Sequence, residues 1–175
     1  MRPLRKTGIR QLKKQLLAER PAVDLVFLLQ ALDDPVNVGA LFRIADACGA
    51  REMVLVGETP APPHPGISLT ARGCDRRVAW RQEPRIEDAV AQLRAEGFQV
   101  VAVELSENAV AYTDYAFGAK VCLVLGNEGA GVWPKALRLC DGAVFIPMYG
   151  KGPSLNVHVS AALAAWEVLR RGRVP

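Results

Sequence analysis

The sequence predicts an α/β fold: a mostly parallel sheet with helices on both faces. Two observations predict it. Five runs, at residues 25–29, 53–56, 100–105, 121–125 and 144–148, are apolar without alternation. A strand with no polar face is buried on both sides, the condition of a parallel sheet covered by helices. Between several of these runs lie segments of helical period, 38–48, 86–96 and 155–171, and strands alternating with helices build parallel crossover units. With 175 residues, 50% hydrophobic and 23% charged, the chain holds material for one core, so residues 1–175 are expected to form a single domain.

The first element is a basic helix, residues 7–20 within an N-terminal segment 1–20. Ile9, Leu12 and Leu16 make one apolar stripe, Arg10, Lys13 and Lys14 occupy the rest, and Pro21 ends it. The strand at 25–29 runs into DDPVNVGALFR, residues 33–43. On the following helix Val38, Leu41, Phe42, Ala45 and Cys48 form the core face, while Gly39, Arg43, Asp46 and Ala50 fall on the other. Helical side chains lean toward the N-terminus, so Arg43 is expected to lie back over Gly39 and Ala40. Its guanidinium would then reach a helix start that already favours anions. The alternative is a surface pair of Arg43 with Asp46, which leaves Gly39 inside a helix without a reason. Residues 58–66 read as a Pro-rich loop, and 68–77 carries Arg72, Arg76 and Arg77.

Residues 126–131, GNEGAG, follow the strand at 121–125. Their spacing is neither G-x-G-x-x-G nor a P-loop, and Trp133–Pro134 stands where a long helix would begin. A tight turn presenting Glu128 fits better; the alternative is that Glu128 caps a short helix starting near Pro134. The last strand leads into GKGPSLNV, residues 150–157, where Ser154 is the expected N-cap of the final helix and Asn156 a second polar group in the same turn. That helix is apolar on two sides. Leu155, Val159, Ala162, Leu163, Trp166 and Leu169 fill one face, and Val157, Ala161, Ala164, Ala165 and Val168 another; it needs two partners, its own sheet and a second chain.

Ligands of parallel sheets collect at the carboxyl ends of the strands, which here read Glu104–Leu105–Ser106, Gly126–Asn127–Glu128 and Met148–Tyr149–Gly150. No apolar run is long enough to span a bilayer, and the N-terminus lacks the apolar centre of a signal peptide. Cys48, Cys74, Cys122 and Cys140 make no C-x-x-C pair and have no nearby histidine. Four free thiols, no metal, no membrane and a cytoplasmic location are expected. A formal charge of +4 permits nucleic-acid binding without demonstrating it.

Three separated segments carry a family pattern: N-x-G-A-x-x-R from Asn37 to Arg43, L-G-N-E-G-x-G from Leu125 to Gly131, and I-P-M with S-L-N-V from Ile146 to Val157. In this order they resemble the SPOUT superfamily, specifically its TrmH-like RNA ribose 2′-O-methyltransferases, from about Val23 onward. The resemblance implies a C-terminal deep trefoil knot that holds S-adenosylmethionine. By position the cofactor contacts are Glu104, Leu105, Gly126, Ile146, Met148, Ser154, Leu155 and Asn156. It also implies that Arg43 binds the phosphate beside the target ribose and assists deprotonation. Asn37, Glu128, Ser154 and Asn156 match positions that shape the site. A sulfonium donor carries an activated methyl, so no metal is implied. The family dimerises through its last helix, with Arg43 facing the partner's cofactor. One position departs from the pattern: His158 stands where a small residue is usual.

The basic N-terminal helix is similar, more loosely, to that of the tRNA-methylating branch. The expected substrate is therefore RNA, with tRNA favoured over rRNA because no separate N-terminal RNA-binding domain precedes the catalytic part. Arg10, Lys13, Lys14, Arg43, Arg72, Arg76 and Arg77 are the candidate RNA contacts. An rRNA methyltransferase and a non-catalytic RNA-binding SPOUT protein are the alternatives.

Overall fold

A computed structural model describes residues 2–172 of the chain. In chain order the elements are α1 (Lys6–Ala18), β1 (Asp24–Gln30), α2 (Pro35–Cys48), β2 (Glu52–Val56), α3 (Pro65–Ala71), β3 (Ala79–Glu83), α4 (Ile86–Ala95), β4 (Gln99–Val103), β5 (Val110–Ala111), β6 (Lys120–Leu125), α5 (Pro134–Leu137), β7 (Gly142–Phe145) and α6 (Val157–Arg171). The strands form one sheet in the order β3-β2-β1-β6-β4-β7-β5, and every pairing is parallel. The sheet is thus wholly parallel where the sequence predicts a mostly parallel one.

Apolar side chains leave both faces of the central strands, and two cores result. Leu25, Phe27 and Leu29 of β1 join Leu41, Phe42, Ile67, Ala161, Ala165 and Val168 beneath α2, α3 and α6. Val26 and Leu28 point the other way, onto Ile86, Ala89, Val90 and Leu93 of α4 and Ala136 of α5. This two-sided burial is what the unalternating runs require. Cys48, Cys74 and Cys122 are buried and Cys140 half-buried, all as free thiols. Burial pushes the Cys48 thiol up to about 11 and the Cys140 thiol up to about 12, so both stay protonated at neutral pH. Among the described residues no helix is long and apolar enough to cross a membrane.

All five predicted strands are present, with shifted ends. The last is shorter than expected: β7 stops at Phe145, because Pro147 offers no ladder N–H, and Ile146 and Met148 lie on the loop that follows. Three elements have no forecast. α3 lies inside the Pro-rich segment, where Pro65 occupies the first helical turn and the His64 Nδ1 accepts from the Gly66 N–H at 3.1 Å; proline favours that position. β3, AWRQE, is an edge strand without a fully buried residue, so it lacks the apolar run that marked the others. β5 is only two residues long.

Because all strands run the same way, the carboxyl ends of the neighbours β1, β6, β4 and β7 lie side by side. The loops after them, beginning at Ala31, Gly126, Glu104 and Ile146, share that edge. α1 stands apart. It carries no buried residue, and its apolar stripe is open, with Ile9 at 44% and Leu16 at 48% exposure.

Candidate active site

The loop after β6 is built by its own backbone and then clamped by three polar side chains. Asn127 and Gly131 exchange backbone hydrogen bonds at 3.1 and 2.8 Å. A Cβ on Gly126 would stand 2.2 Å from the Gly131 carbonyl carbon and the Val132 nitrogen, so only glycine closes this turn. The Asn127 amide donates to the Ala31 carbonyl and Asp33 Oδ2, both at 2.7 Å, and its oxygen accepts from the Gly129 and Ala130 N–H groups. Gln30, fully buried at the end of β1, accepts from the Trp133 N–H at 2.8 Å. The Glu104 carboxylate accepts from the Val132 N–H at 2.8 Å and the Leu105 N–H at 2.9 Å.

Glu128, at the tip of this loop, reaches the start of α2. Its carboxylate accepts from the backbone N–H of Asp33 at 3.0 Å, that of Asp34 at 3.3 Å, and Asn37 Nδ2 at 2.9 Å. Partial burial raises the carboxyl pKa, but these donors outweigh it and leave Glu128 below the usual glutamate value. The alternative expectation, Glu128 as the cap of a helix near Pro134, is overturned. α5 does start at Pro134, but its cap residue Trp133 makes no side-chain bond, and Glu128 is spent on the other loop.

Asn37 is 6% exposed, and its second amide atom is also used. Oδ1 lies 3.1 Å from His158 Nδ1 in the first turn of α6. One short relay, Glu128–Asn37–His158, therefore joins the first two motif segments to the first turn of α6, directly after the third. The predicted cap is corrected here. Asn156, not Ser154, caps α6: its Oδ1 accepts from the His158 N–H at 3.1 Å. Asparagine caps as well as serine, and it sits directly before Val157, the first residue able to turn into the core. Ser154 lies two residues upstream on the exposed loop.

Arg43 lies on the exposed face of α2, and among the described residues its guanidinium has no hydrogen-bond or ion-pair partner. The alternative pairing with Asp46 is overturned, because Asp46 is held by Arg77 (Nε at 3.0 Å, Nη2 at 3.2 Å), which keeps its carboxyl below the usual value. The reason offered for Gly39 is corrected too. A Cβ there would meet Thr70 Oγ1 at 2.2 Å and the Ile67 carbonyl at 2.4 Å, so Gly39 lets α3 approach α2 rather than making room for Arg43. Arg77 also donates to the Gly73 carbonyl at 3.2 Å. It braces the 72–77 segment, while Arg72, Arg76, Arg10, Lys13 and Lys14 are exposed.

Of the eight candidate cofactor contacts, Glu104, Leu105, Gly126, Ile146 and Met148 lie at or just past the carboxyl ends of β4, β6 and β7, and Ser154, Leu155 and Asn156 lie on the loop that leads into α6. Gly126 is buried and Glu104 and Ile146 half-buried, while Leu105 (73%), Met148 (40%) and Leu155 (36%) are open. Gln30, Asn127 and the bracing role of Glu104 had no forecast; the available signal was a lone polar residue closing an apolar run.

A wholly parallel sheet, with three motif loops gathered at its carboxyl edge around Asn37, Glu128 and the loop before α6, defines a TrmH-like methyltransferase of the SPOUT class. The chain belongs to the SpoU rRNA methylase family, whose model matches residues 24–166. It is 35% identical over 157 residues to the tRNA (guanosine(18)-2′-O)-methyltransferase of Escherichia coli, covering 90% of this chain and 67% of that protein. It is 33% identical over 166 residues to the enzyme of the same name from Thermus thermophilus, covering 95% and 84%. Among solved structures, the AdoMet-bound rRNA methyltransferase of Sinorhizobium meliloti superimposes with a TM-score of 0.78 at 31% identity, over 87% of this chain and 57% of that one.

Proposed function

We propose that this chain is an S-adenosylmethionine-dependent RNA ribose 2′-O-methyltransferase acting on tRNA in the cytoplasm, as a homodimer. In this reading residues 1–175 are one catalytic domain with a C-terminal trefoil knot, and residues 1–20 are its RNA arm. The observation that carries it is the tie of Glu128 to Asn37 and the Asp33–Asp34 backbone, which makes one site of separated segments. Two tRNA-methylating relatives that match most of this chain favour tRNA, as does the basic α1.

The residues present suit the cofactor. Backbone groups of Met148, Ser154 and Leu155 make no hydrogen bond among the described residues, which leaves main-chain donors and acceptors free at the strand ends. When bound there, S-adenosylmethionine supplies a methyl activated by its sulfonium. The protein's own task is then to position the acceptor. Arg43, without a partner on α2 among the described residues, holds the phosphate beside the target ribose. Glu128 and Asn37 fix the start of α2, and Asn156 fixes the start of α6, so the two helices cannot drift relative to the strand ends. Such positioning supplies much of a rate enhancement. The open stripe Val159, Leu163 and Trp166 on α6, with Leu155 on the loop before it, each 36–48% exposed, supplies the dimer face, while Ala161, Ala164, Ala165 and Val168 are buried against the sheet.

The test is methyl transfer from labelled cofactor to total tRNA and rRNA, with mapping of the modified nucleotide. Arg43→Ala should abolish turnover and leave cofactor affinity unchanged. Arg43→Lys should rescue poorly, because a point charge lacks the planar fork of donors. Near-parental turnover in Arg43→Ala would refute its role.

A further inference from the structure

We infer that His158 accepts the proton of the attacking 2′-hydroxyl, an assignment that rests on the ribose methylation proposed above. The relay determines its state. Asn37 Nδ2 faces the Glu128 carboxylate at 2.9 Å, which can only accept when ionised. The Asn37 amide is thereby oriented with Oδ1 toward His158 Nδ1, 3.1 Å away. An amide oxygen also only accepts, so Nδ1 must donate. Neutral His158 therefore carries its proton on Nδ1 and its lone pair on Nε2, the nitrogen across the ring from Asn37. Among the described residues Nε2 has no partner.

Four carboxylates at the strand ends are already engaged. Glu128 accepts three N–H groups, and Glu104 accepts two. Asp33 accepts from Asn127, and Asp34 accepts from the Val36 N–H as the cap of α2. Glu58 and Glu107, on the loops after β2 and β4, and Lys151, on the loop before α6, are exposed to solvent. The chain has one other histidine, His64, whose Nδ1 accepts from the Gly66 N–H at the start of α3.

The step balances. The 2′-hydroxyl O–H bond breaks and its proton goes to His158 Nε2. The oxygen electron pair forms the bond to the sulfonium methyl, and the carbon–sulfur bond breaks with its pair going to sulfur. His158 ends as imidazolium, still donating from Nδ1 to Asn37, with its charge facing Glu128 through the amide. The arrangement is an acid-oriented imidazole with asparagine as the linking group.

The experiment is single-turnover methyl transfer from labelled S-adenosylmethionine to total tRNA by the parent chain, His158→Gln and His158→Ala, alongside thermal unfolding and cofactor titration. Glutamine can still donate to Asn37 but cannot take up a proton. Both variants should keep the parental melting and cofactor affinity and lose at least about 100-fold in rate, the usual worth of a positioned base. Added imidazole should restore part of the rate to His158→Ala alone. A His158→Gln chain within about threefold of the parent would overturn the assignment, as would loss of cofactor binding in both variants. A parent that methylates no ribose would remove the functional reading, and this assignment with it. A parent active on ribose beside an equally active His158→Gln would remove His158 only.

Discussion

Gly39→Ala sets two opposed effects against each other, and the structure says which wins. Gly39 lies inside α2, where alanine gains about 1 kcal/mol of helix propensity over glycine. The added Cβ would sit 2.4 Å from the Ile67 carbonyl oxygen and 3.1 Å from the Ala71 nitrogen, both backbone atoms of α3, and 2.2 Å from Thr70 Oγ1. Relief requires α2 and α3 to separate by about 1 Å, and overpacking of this kind costs about 1–3 kcal/mol. Separation also breaks the bond from Thr70 Oγ1 to the Val36 carbonyl, 2.9 Å long, worth about 1 kcal/mol. The balance is a net loss of about 1–3 kcal/mol, or roughly 2–12 °C in melting temperature for a chain of this size. Urea unfolding followed by circular dichroism measures it. Gly39→Ala/Thr70→Ala should recover part of the loss, since it removes the hydroxyl but not the Ile67 carbonyl. A Gly39→Ala chain as stable as the parent would refute the reasoning, for it would show that propensity outweighs the α2–α3 contact.

Three further outcomes follow from the site and its surroundings. Glu128 is held below the usual glutamate pKa, so its contribution to stability is complete above the unfolded value near about 4.3 and fades as pH falls through its lower folded value. The stability advantage of the parent over Glu128→Gln should therefore shrink in acid unfolding curves below about pH 4, and an advantage that grows there would reverse the sign. Neutralising Arg10, Lys13 and Lys14 together should weaken RNA binding and flatten its salt dependence by about 0.7–0.9 log units per lost phosphate contact. Cofactor affinity should stay constant, and unchanged RNA affinity across several salt concentrations would reduce α1 to a solvated surface. Trp166→Glu, on the open stripe of α6, should convert a homodimer to monomers in sedimentation while the melting temperature changes little; a parent that sediments as an active monomer would count against the dimer.

The fold class was legible in the chain itself. Residues 25–29 and 121–125 have no polar face, so they had to be covered on both sides, and that alone implies parallel strands with ligands at their carboxyl ends. The two faces of α6 were legible for the same reason: Ala161, Ala164 and Val168 are buried, and Leu163 and Trp166 are open. Local periodicity reports burial, and burial is what these segments had in common. Edge strand β3 and helix α3 escaped because a half-exposed strand and a helix led by prolines carry no such period.

Which partner each motif residue takes is a matter of tertiary structure. Gly39 could be read as room for Arg43, yet α3 fills that space, and α3 is brought there by a chain segment about thirty residues away in sequence (Gly39 to Ile67 and Thr70). Glu128 could have capped α5, which follows it directly; instead it reaches the Asp33–Asn37 segment, over ninety residues upstream. Ser154 and Asn156 are both good caps by residue type, and the position where α6 enters the core chose Asn156. Hydrogen-bond partners are set by distance in space and not by spacing along the chain, so sequence could name Asn37, Glu128 and His158, but only the packing of β1, β6 and α6 could join them into one relay.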